Sequence, residues 1–316
     1  LAGILQLLIQ ISPLLTINRL PVPKLDIKNQ GLRKFFKLIL PAILAGGIIQ
    51  INLLIDTIFA SLLETGSPTW LYVSDRLIQF PMGIFAIAIG TILLPTLSNI
   101  DLEKEKNAFI KNIKKGQKFV LFIGIPSLIG LFFCAEDLIS TIFYRGEFTE
   151  LDVFKSSYSL MAFSIGLPFF MLMKVLTPAF FARKDTKTPM YVAFISLVLN
   201  AFFNYLLAFV FGFGHVGLAI GSSIAALISV LILETILYKQ GFIKITNMFN
   251  RFNFMILISS SFLIVFLNFY TTKTNFIEFN QIERLFYLSI EILASIFIYF
   301  FIARIINGKP LRTLLN

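Results

Sequence analysis

Residues 38–98 read LILPAILAGGIIQINLLIDTIFASLLETGSPTWLYVSDRLIQFPMGIFAIAIGTILLPTLS. Two long apolar blocks flank the short polar turn ETGSPT at residues 64–69. A helix needs about 20 apolar residues to cross about 30 Å of hydrocarbon, whereas a barrel strand needs about 10 residues that alternate in polarity. The stretch therefore predicts two membrane-spanning helices joined by a tight turn.

The same pattern extends along the whole chain, which is 57% hydrophobic and 14% charged, with a mean hydropathy of +0.85. Soluble domains are about 45–50% apolar and about 25% charged. Backbone polar groups find no partners in hydrocarbon, so the blocks must be helices. We predict an all-α polytopic membrane protein with eight full transmembrane helices after one partial helix. The full spans are expected at residues 33–63, 68–98, 118–144, 154–181, 189–211, 216–238, 252–271 and 284–306.

The basic residues show an alternating distribution between the loops. The net charge of +10 would suggest nucleic-acid binding in a soluble protein. Here most of the 27 Lys and Arg residues lie in every second loop, at residues 18–37, 104–118, 183–187, 239–251 and 304–312. The positive-inside rule places these loops and the C-terminus in the cytoplasm. We therefore expect a multi-pass membrane protein and no nucleic-acid partner.

The chain is expected to divide into four parts. Residues 1–17 are apolar and are interpreted as the tail of a truncated transmembrane helix, which Pro21 and Pro23 end. Residues 18–37 form a basic cytoplasmic linker, residues 38–240 hold six spans, and residues 252–306 hold two more. A second polar linker is expected at residues 99–117, with a short surface helix.

Several short motifs occur in a fixed order along the six-span part. They are LPAI at 40–43, DTIFAS at 56–61, DRLIQFPMG at 75–83, LLPTLS at 93–98, FYRGEFT at 143–149 and FFARKDTKTP at 180–189. Together they resemble the MurJ/MviN family of the MOP flippase/exporter superfamily. The resemblance implies a MOP/MATE-like fold of two six-helix lobes and two extra helices. Residues 38–240 would be the second lobe, residues 252–306 would line a groove for a lipid tail, and the first lobe is missing.

The resemblance also implies a function, which is the flipping of lipid II for peptidoglycan synthesis. The protein would move this undecaprenyl-pyrophosphate-linked muropeptide from the cytoplasmic to the periplasmic leaflet of the bacterial inner membrane by alternating access. Its partners would be lipid II, membrane lipids and the missing N-terminal lobe. Two alternatives stay open: an exporter of another polyprenyl-linked oligosaccharide, and a non-transporting membrane fragment or scaffold.

The sequence carries no P-loop, zinc-protease or nucleophile-elbow motif, so we expect no enzyme, no cofactor and no metal centre. Energy would then come from an ion gradient or the membrane potential. One Cys and one His are too few to build a metal cluster.

Two basic residues inside spans are candidates for substrate binding. Arg76 lies about 12 Å below the periplasmic end of its span, where an ionisable group is costly unless it has a partner or a cavity. A guanidinium matches phosphate oxygens with a planar fork of donors, so Arg76 is predicted to clamp the pyrophosphate; an ion pair with Asp56 or Asp75 is the alternative. Lys174 would either line the inner vestibule or extend towards the cytoplasm.

Polar residues at similar depth on three spans predict an ion site. Asp56 has Asn52 four residues earlier, Asn200 and Asn204 form a second pair of this spacing, and Ser222 lies on the next span. A carboxylate with amide and hydroxyl oxygens suits a hard cation such as Na⁺, although hydrogen bonds between helices would explain the same residues. Glu234 and Glu291 lie near span ends and are expected to be solvated.

Overall fold

The computed structural model describes residues 2–17, 30–243, 251–272, 274 and 276–307. Regular structure in these ranges is helical throughout. The α-helices are α1 (Ala2–Thr16), α2 (Gln30–Ser61), α3 (Ser67–Pro81), α4 (Ala88–Ser98), α5 (Lys106–Phe133), α6 (Ala135–Phe143), α7 (Glu150–Ala182), α8 (Lys187–Tyr205), α9 (Gly214–Lys239), α10 (Arg251–Thr271) and α11 (Gln281–Asn307). Two π-helical segments, Met82–Ile87 and Leu206–Val210, join α3 to α4 and extend α8.

Within the described ranges, 8 helical stretches are long and apolar enough to cross a membrane. They are Ile39–Ser61, Ser67–Ser98, Lys106–Phe133, Glu150–Ala182, Lys187–Val210, Gly214–Lys239, Arg251–Thr271 and Gln281–Asn307. Their number and order match the prediction, which confirms the all-α polytopic fold class. The shorter apolar helix α1 occupies the place of the predicted partial span.

The polar linker predicted at residues 99–117 is much shorter in the structure. Helix α5 already begins at Lys106, because Phe109, Ile113 and Gly116 form one buried stripe beneath the lysines. The helix then ends at Cys134, where the backbone leaves helical geometry, and α6 starts afresh at Ala135. The predicted span 118–144 is therefore two helices.

The chain divides into two compact units, Leu1–Leu40 and Pro41–Asn316. Most of the predicted cytoplasmic linker at 18–37 lies outside the described residues, but its last part, from Gln30, is already the start of α2. All site residues discussed below belong to the second unit.

Helices α7 and α9 form the centre of the second unit. More than half of the most apolar part of each is buried, at 56%, whereas most of the described side chains of Ile39–Ser61 are exposed. Leu160, Leu167, Met171, Val175 and Leu176 of α7 are fully buried and pack among α3, α4, α5 and α9. A span with so much internal contact is a scaffold against which the site-bearing helices are held.

The long span Ser67–Ser98 is not a regular α-helix. Its middle, Met82–Ile87, is π-helical and follows directly on Pro81. Proline cannot donate the backbone hydrogen bond that continues an α-helix, and a π segment accommodates this with one extra residue in the turn. The span is thereby divided into α3, which carries Arg76, and α4.

A polar cluster joins the N-terminal ends of α3, α7 and α9. Trp70 is buried, and its Nε1 donates a 2.7 Å hydrogen bond to Oδ1 of Asp152. Its ring lies 4.8 Å from the ring of His215, and Nε2 of His215 lies 3.0 Å from the carbonyl oxygen of Lys155. Lys155 in turn forms a 2.8 Å ion pair with Glu64 in the loop before α3. These contacts fix the positions of the three helices relative to one another along their axes.

Trp70→Phe is expected to lower the free energy of unfolding by about 1.5–3 kcal/mol, because it removes a hydrogen bond to a carboxylate and leaves Asp152 short of a donor. Thermal unfolding in detergent, followed by circular dichroism, measures this. Tyr72→Phe, at an exposed position one half-turn further along α3, is the control and should change little. Equal unfolding temperatures for Trp70→Phe and the unmodified chain would contradict the assignment.

Candidate functional site

Asp56 lies at the centre of a hydrogen-bond network between α2, α8 and α9. Its Oδ1 accepts a 2.6 Å hydrogen bond from Nδ2 of Asn204, and its Oδ2 accepts one of 3.2 Å from Nδ2 of Asn52. Nδ2 of Asn204 also donates to Oδ1 of Asn200 at 2.9 Å, and Nδ2 of Asn200 donates to Oγ of Ser222 at 2.9 Å. The structure thus brings together all four residues proposed for the ion site, and Asn52 with them.

Close approach of α8 and α9 makes this network possible. Gly221 of α9 lies directly against Asn204: an added Cβ would overlap its Oδ1 and lie 3.0 Å from its backbone nitrogen. One turn earlier, a Cβ on Gly217 would lie 2.7 Å from the backbone nitrogen of Ala208. The two glycines are four residues apart, a spacing typical of tightly packed membrane helices. The sequence carries this spacing as GLAIG at residues 217–221, and this is the signal that could have predicted the close approach.

Two oxygens of the network lack a hydrogen-bond donor. They are Oδ1 of Asn52 and Oδ1 of Asn204, and both are buried. Buried amide oxygens are normally satisfied, so an unpaired pair beside a carboxylate fits a cation as the missing partner. Among the described residues no group of three or more His, Cys, Asp or Glu side chains is placed to hold a metal ion. The donor set, one carboxylate with neutral oxygens, therefore suits a monovalent cation.

The network borders a cavity of about 210 Å³. Asn52, Asn200 and Ser222 line it on one side, and Lys174 of α7 lines it as well. Lys174 is exposed where it lines this cavity, and its role stays a prediction. A cationic side chain and the candidate cation ligands thus share one cavity.

Arg76 lies on the open face of α3. The opposite face of the helix, with Trp70, Val73 and Ile78, is buried against the core. The guanidinium stacks 4.7 Å from the centre of the Tyr72 ring, and its Nη1 lies 3.5 Å from Oε1 of Gln79. Within the described part of the chain Arg76 forms no ion pair, so the alternative of a structural pair with Asp56 or Asp75 is not what the structure contains.

Asp75 instead pairs with Gln79, whose Nε2 donates to its Oδ2. The two residues are four apart on one face of α3, and in the described helix Asp75 forms no ion pair with the adjacent Arg76. The remaining guanidinium donors of Arg76, beyond the long contact with Gln79, can bind a ligand.

The expectation of a solvated carboxylate was wrong for Glu291, whereas Glu234 is half-buried. Oε1 of Glu234 accepts a 2.8 Å hydrogen bond from Nε2 of Gln117 between α9 and α5. Glu291 is completely buried in α11. The distance of Glu291 from the helix end did not predict its exposure. Helix α11 packs on α10 and α6, and this packing buries the side chain.

Two of the family-like motifs form helix caps. In FYRGEFT, the side chains of Thr149 and Asp152 cap the start of α7 reciprocally. In FFARKDTKTP, Oδ1 and Oδ2 of Asp185 accept from the backbone nitrogen and the hydroxyl of Thr188 at the start of α8. These motifs fix where the site-bearing helices begin and contribute no ligand themselves.

Comparison with protein families and known proteins places these features in context. A family model described as "Lipid II flippase MurJ" matches residues 1–288. A protein of Vibrio cholerae named "Probable lipid II flippase MurJ" is 42% identical over 247 residues, which are 78% of this chain and 47% of that protein. One from Haemophilus influenzae with the same name is 41% identical over 239 residues. The chain spans about half the length of these curated relatives.

The helical arrangement also matches solved structures. A structure described as "Lipid II flippase MurJ, inward closed conformation" superposes with a TM-score of 0.72 at 27% identity, covering 95% of this chain and 59% of that one. A MOP superfamily transporter from Pyrococcus furiosus matches with a TM-score of 0.55 at 19% identity, over 89% of this chain and 67% of that one, which is a likeness of fold alone.

Proposed function

Because the chain belongs to the MurJ family of lipid II flippases, we propose that it forms the second lobe and the two C-terminal helices of a transporter that flips lipid II. Translocation would run from the cytoplasmic to the periplasmic leaflet of the bacterial inner membrane, as the lobe rocks against a first lobe. Helices α10 and α11 would border the polyprenyl tail. The C-terminus would be cytoplasmic, in agreement with the alternation of basic loops.

The observation that carries this proposal is the exposed side chain of Arg76, which forms no ion pair with any residue that the structure describes. A charged side chain within a membrane span costs roughly 2.5–3.5 kcal/mol at the helix centre unless it faces a partner or a polar cavity. The structure gives Arg76 no carboxylate partner among the described residues and places it on the face of α3 that the core leaves open. That face is suited to border a central cavity and to bind a pyrophosphate there.

Lys174 would add a second positive charge to the substrate route. Lys174 lies on α7 and lines the cavity that Asn52 and Ser222 also line. Lysine binds phosphate as a point charge, without the planar fork of arginine. It would therefore attract an anionic headgroup, whereas Arg76 would orient it.

The Asp56 network would couple transport to a cation gradient. Asp56 and the amide oxygens of Asn52 and Asn204 would bind Na⁺ as a transported ion, with Asn200 and Ser222 holding them in place. Cation binding would neutralise the carboxylate and tie α2 to α8. If rocking separated α2 from α8, occupancy would bias the equilibrium between the two conformations.

Arg76→Ala is expected to weaken lipid II binding to the purified chain by about 10- to 100-fold, since charge-assisted hydrogen bonds of about 1.5–3 kcal/mol are lost. The affinity of Arg76→Lys for lipid II should lie between that of Arg76→Ala and that of the unmodified chain. Lysine keeps the positive charge but lacks the planar fork of donors. Binding is measured in detergent with labelled lipid II. Competition by other polyprenyl-linked sugars for the bound lipid II tests whether the chain binds a broader class of substrates than lipid II alone.

The matched control is Lys187→Ala, which removes an exposed basic residue at the start of α8. It should bind lipid II as the unmodified chain does. Equal losses in both variants would mean that the contribution of Arg76 is only nonspecific attraction, and no loss in Arg76→Ala would refute the proposed headgroup contact.

A further inference from the structure

The interface between α6 and α11 is polar, although it lies outside the site described above. At its outer end Nε of Arg284 donates to the carbonyl oxygen of Phe276 at 2.7 Å, and Nη2 donates to that of Ile277 at 2.8 Å. Nη1 reaches the carbonyl oxygen of Ser140 at 3.3 Å, and Nε2 of Gln281 donates to that of Thr141 at 2.8 Å. Arg284 is buried, and its donors are committed to backbone carbonyls.

Two helical turns further along α11, and so about 10 Å deeper, the same face carries Glu291. It belongs to the part of the chain where α11 packs on α6, and the buried carboxyl group of Asp137 on α6 is close enough to interact with it electrostatically. Glu291 is 0% exposed and Asp137 is 5% exposed. Helices α6 and α11 run antiparallel, with Thr141 opposite Gln281 and Ser140 opposite Arg284.

The oxygens of this pair have no donor to satisfy them. Both Oε atoms of Glu291 and Oδ2 of Asp137 are buried without a hydrogen-bond partner. In the described chain neither carboxyl group forms an ion pair with Lys, Arg or His. Two ionised carboxylates in contact in such a place would repel each other and would both lack hydration.

The titratable groups around the pair do not supply a positive charge. Glu136 and Cys134 lie beside Asp137, Tyr270 faces the pair from α10, and Tyr287 lies on α11 itself. The hydroxyl of Tyr270 donates to the carbonyl oxygen of Tyr287 at 3.1 Å. On the side of α5 that packs here, the lysines are near the opposite end of the helix.

We propose that Asp137 and Glu291 form a proton-binding site that fastens α11 to α6. A proton taken up by one carboxylate forms an O–H group, which donates to the facing carboxylate oxygen and removes one negative charge. The bound proton thus supplies the donor that the interface lacks. The site is separate from Arg76 and from the Asp56 network, and it would make the attachment of the two C-terminal helices sensitive to proton concentration.

Infrared spectroscopy of the whole 316-residue chain in lipid vesicles tests this directly, because a protonated carboxyl group has a C=O stretch that an ionised one lacks. At neutral pH the unmodified chain should show this band, and both Asp137→Asn and Glu291→Gln should lose part of it. Glu147→Gln, at an exposed position after α6, is the control and should retain the band. A band unchanged in both interface variants would overturn the proposal.

Thermal unfolding provides a second measurement that does not depend on the spectra. The folded chain holds a proton that exposed carboxyls release, so its melting temperature should fall as the pH rises above neutrality, and Glu291→Gln should flatten this dependence. If Glu291→Gln does not fold, the pH dependence of the band in the unmodified chain still decides the matter: a band that is absent at neutral pH refutes the site. Replacing choline chloride with sodium chloride should leave the part of the band that Glu291→Gln removes unchanged; loss of that part would identify a sodium site at the pair instead, and would equally refute the proposal.

Discussion

Replacing Asp56 with alanine is expected to abolish sodium binding by the chain and to reduce sodium-driven transport by the complete transporter at least about 100-fold. The carboxylate is the only charged member of the network, and it accepts hydrogen bonds from both Asn52 and Asn204. Removing one partner of a buried charged pair costs about 3–5 kcal/mol, and each 1.4 kcal/mol is a factor of about ten in affinity.

Radioactive sodium binding to the purified chain measures the first effect. A chimaera in which residues 38–316 replace the matching part of the Vibrio cholerae relative, reconstituted in vesicles with a sodium gradient, measures the second. Asp101→Ala removes an exposed carboxylate in the loop before α5 and is the control. Sodium binding that survives in Asp56→Ala would show that the network is hydrogen-bond packing between helices and no ion site.

Gly221→Ala is expected to destabilise the chain by about 1–3 kcal/mol and to weaken sodium binding with it. In an ordinary helix the same substitution stabilises by about 0.5–1 kcal/mol, because glycine has the greater freedom to lose on folding. The sign reverses here because the new methyl group would overlap Oδ1 of Asn204 and press on its backbone nitrogen. Neither group can yield without moving α8 away from α9.

Gly130→Ala is the matched comparison, since Gly130 lies inside α5 with no atom within 4 Å of an added Cβ. Thermal unfolding of both variants in detergent should move in opposite directions, upward for Gly130→Ala and downward for Gly221→Ala. Parallel shifts of the same sign would mean that α8 and α9 have room to separate, and that the close approach is not required.

The membrane makes some parts of this structure predictable from the sequence. Because spans cross the bilayer at similar angles, counting residues from a span end gives depth, and residues at equal depth on neighbouring helices can meet. This reasoning grouped Asp56, Asn200, Asn204 and Ser222, which the structure joins by hydrogen bonds. Their role as ion ligands, and those of Arg76 and Lys174 as substrate ligands, stay predictions.

Depth alone does not give the direction in which a side chain points or the helix that it meets. Glu291 was predicted to be solvated because it lies near the end of its span. The sequence predicted one helix where the structure has α5 and α6, so the packing of α6 against Glu291 could not be foreseen. The break at Cys134 carries neither proline nor glycine, so no local pattern marks it. The contact with Asp137 follows from tertiary packing, which periodicity does not encode.

The π-helical segment at Met82–Ile87 has a consequence for mutational mapping of the second span. One surplus residue in a turn advances the angular phase of everything beyond it by about 100°. A helical wheel drawn through Arg76 and continued into Ala88–Ser98 therefore selects side chains on the wrong azimuth. In a cysteine scan of this span, the helical periodicity should be assigned separately before Met82 and after Ala88. We expect the periodic pattern of solvent accessibility to shift by one residue between the two parts.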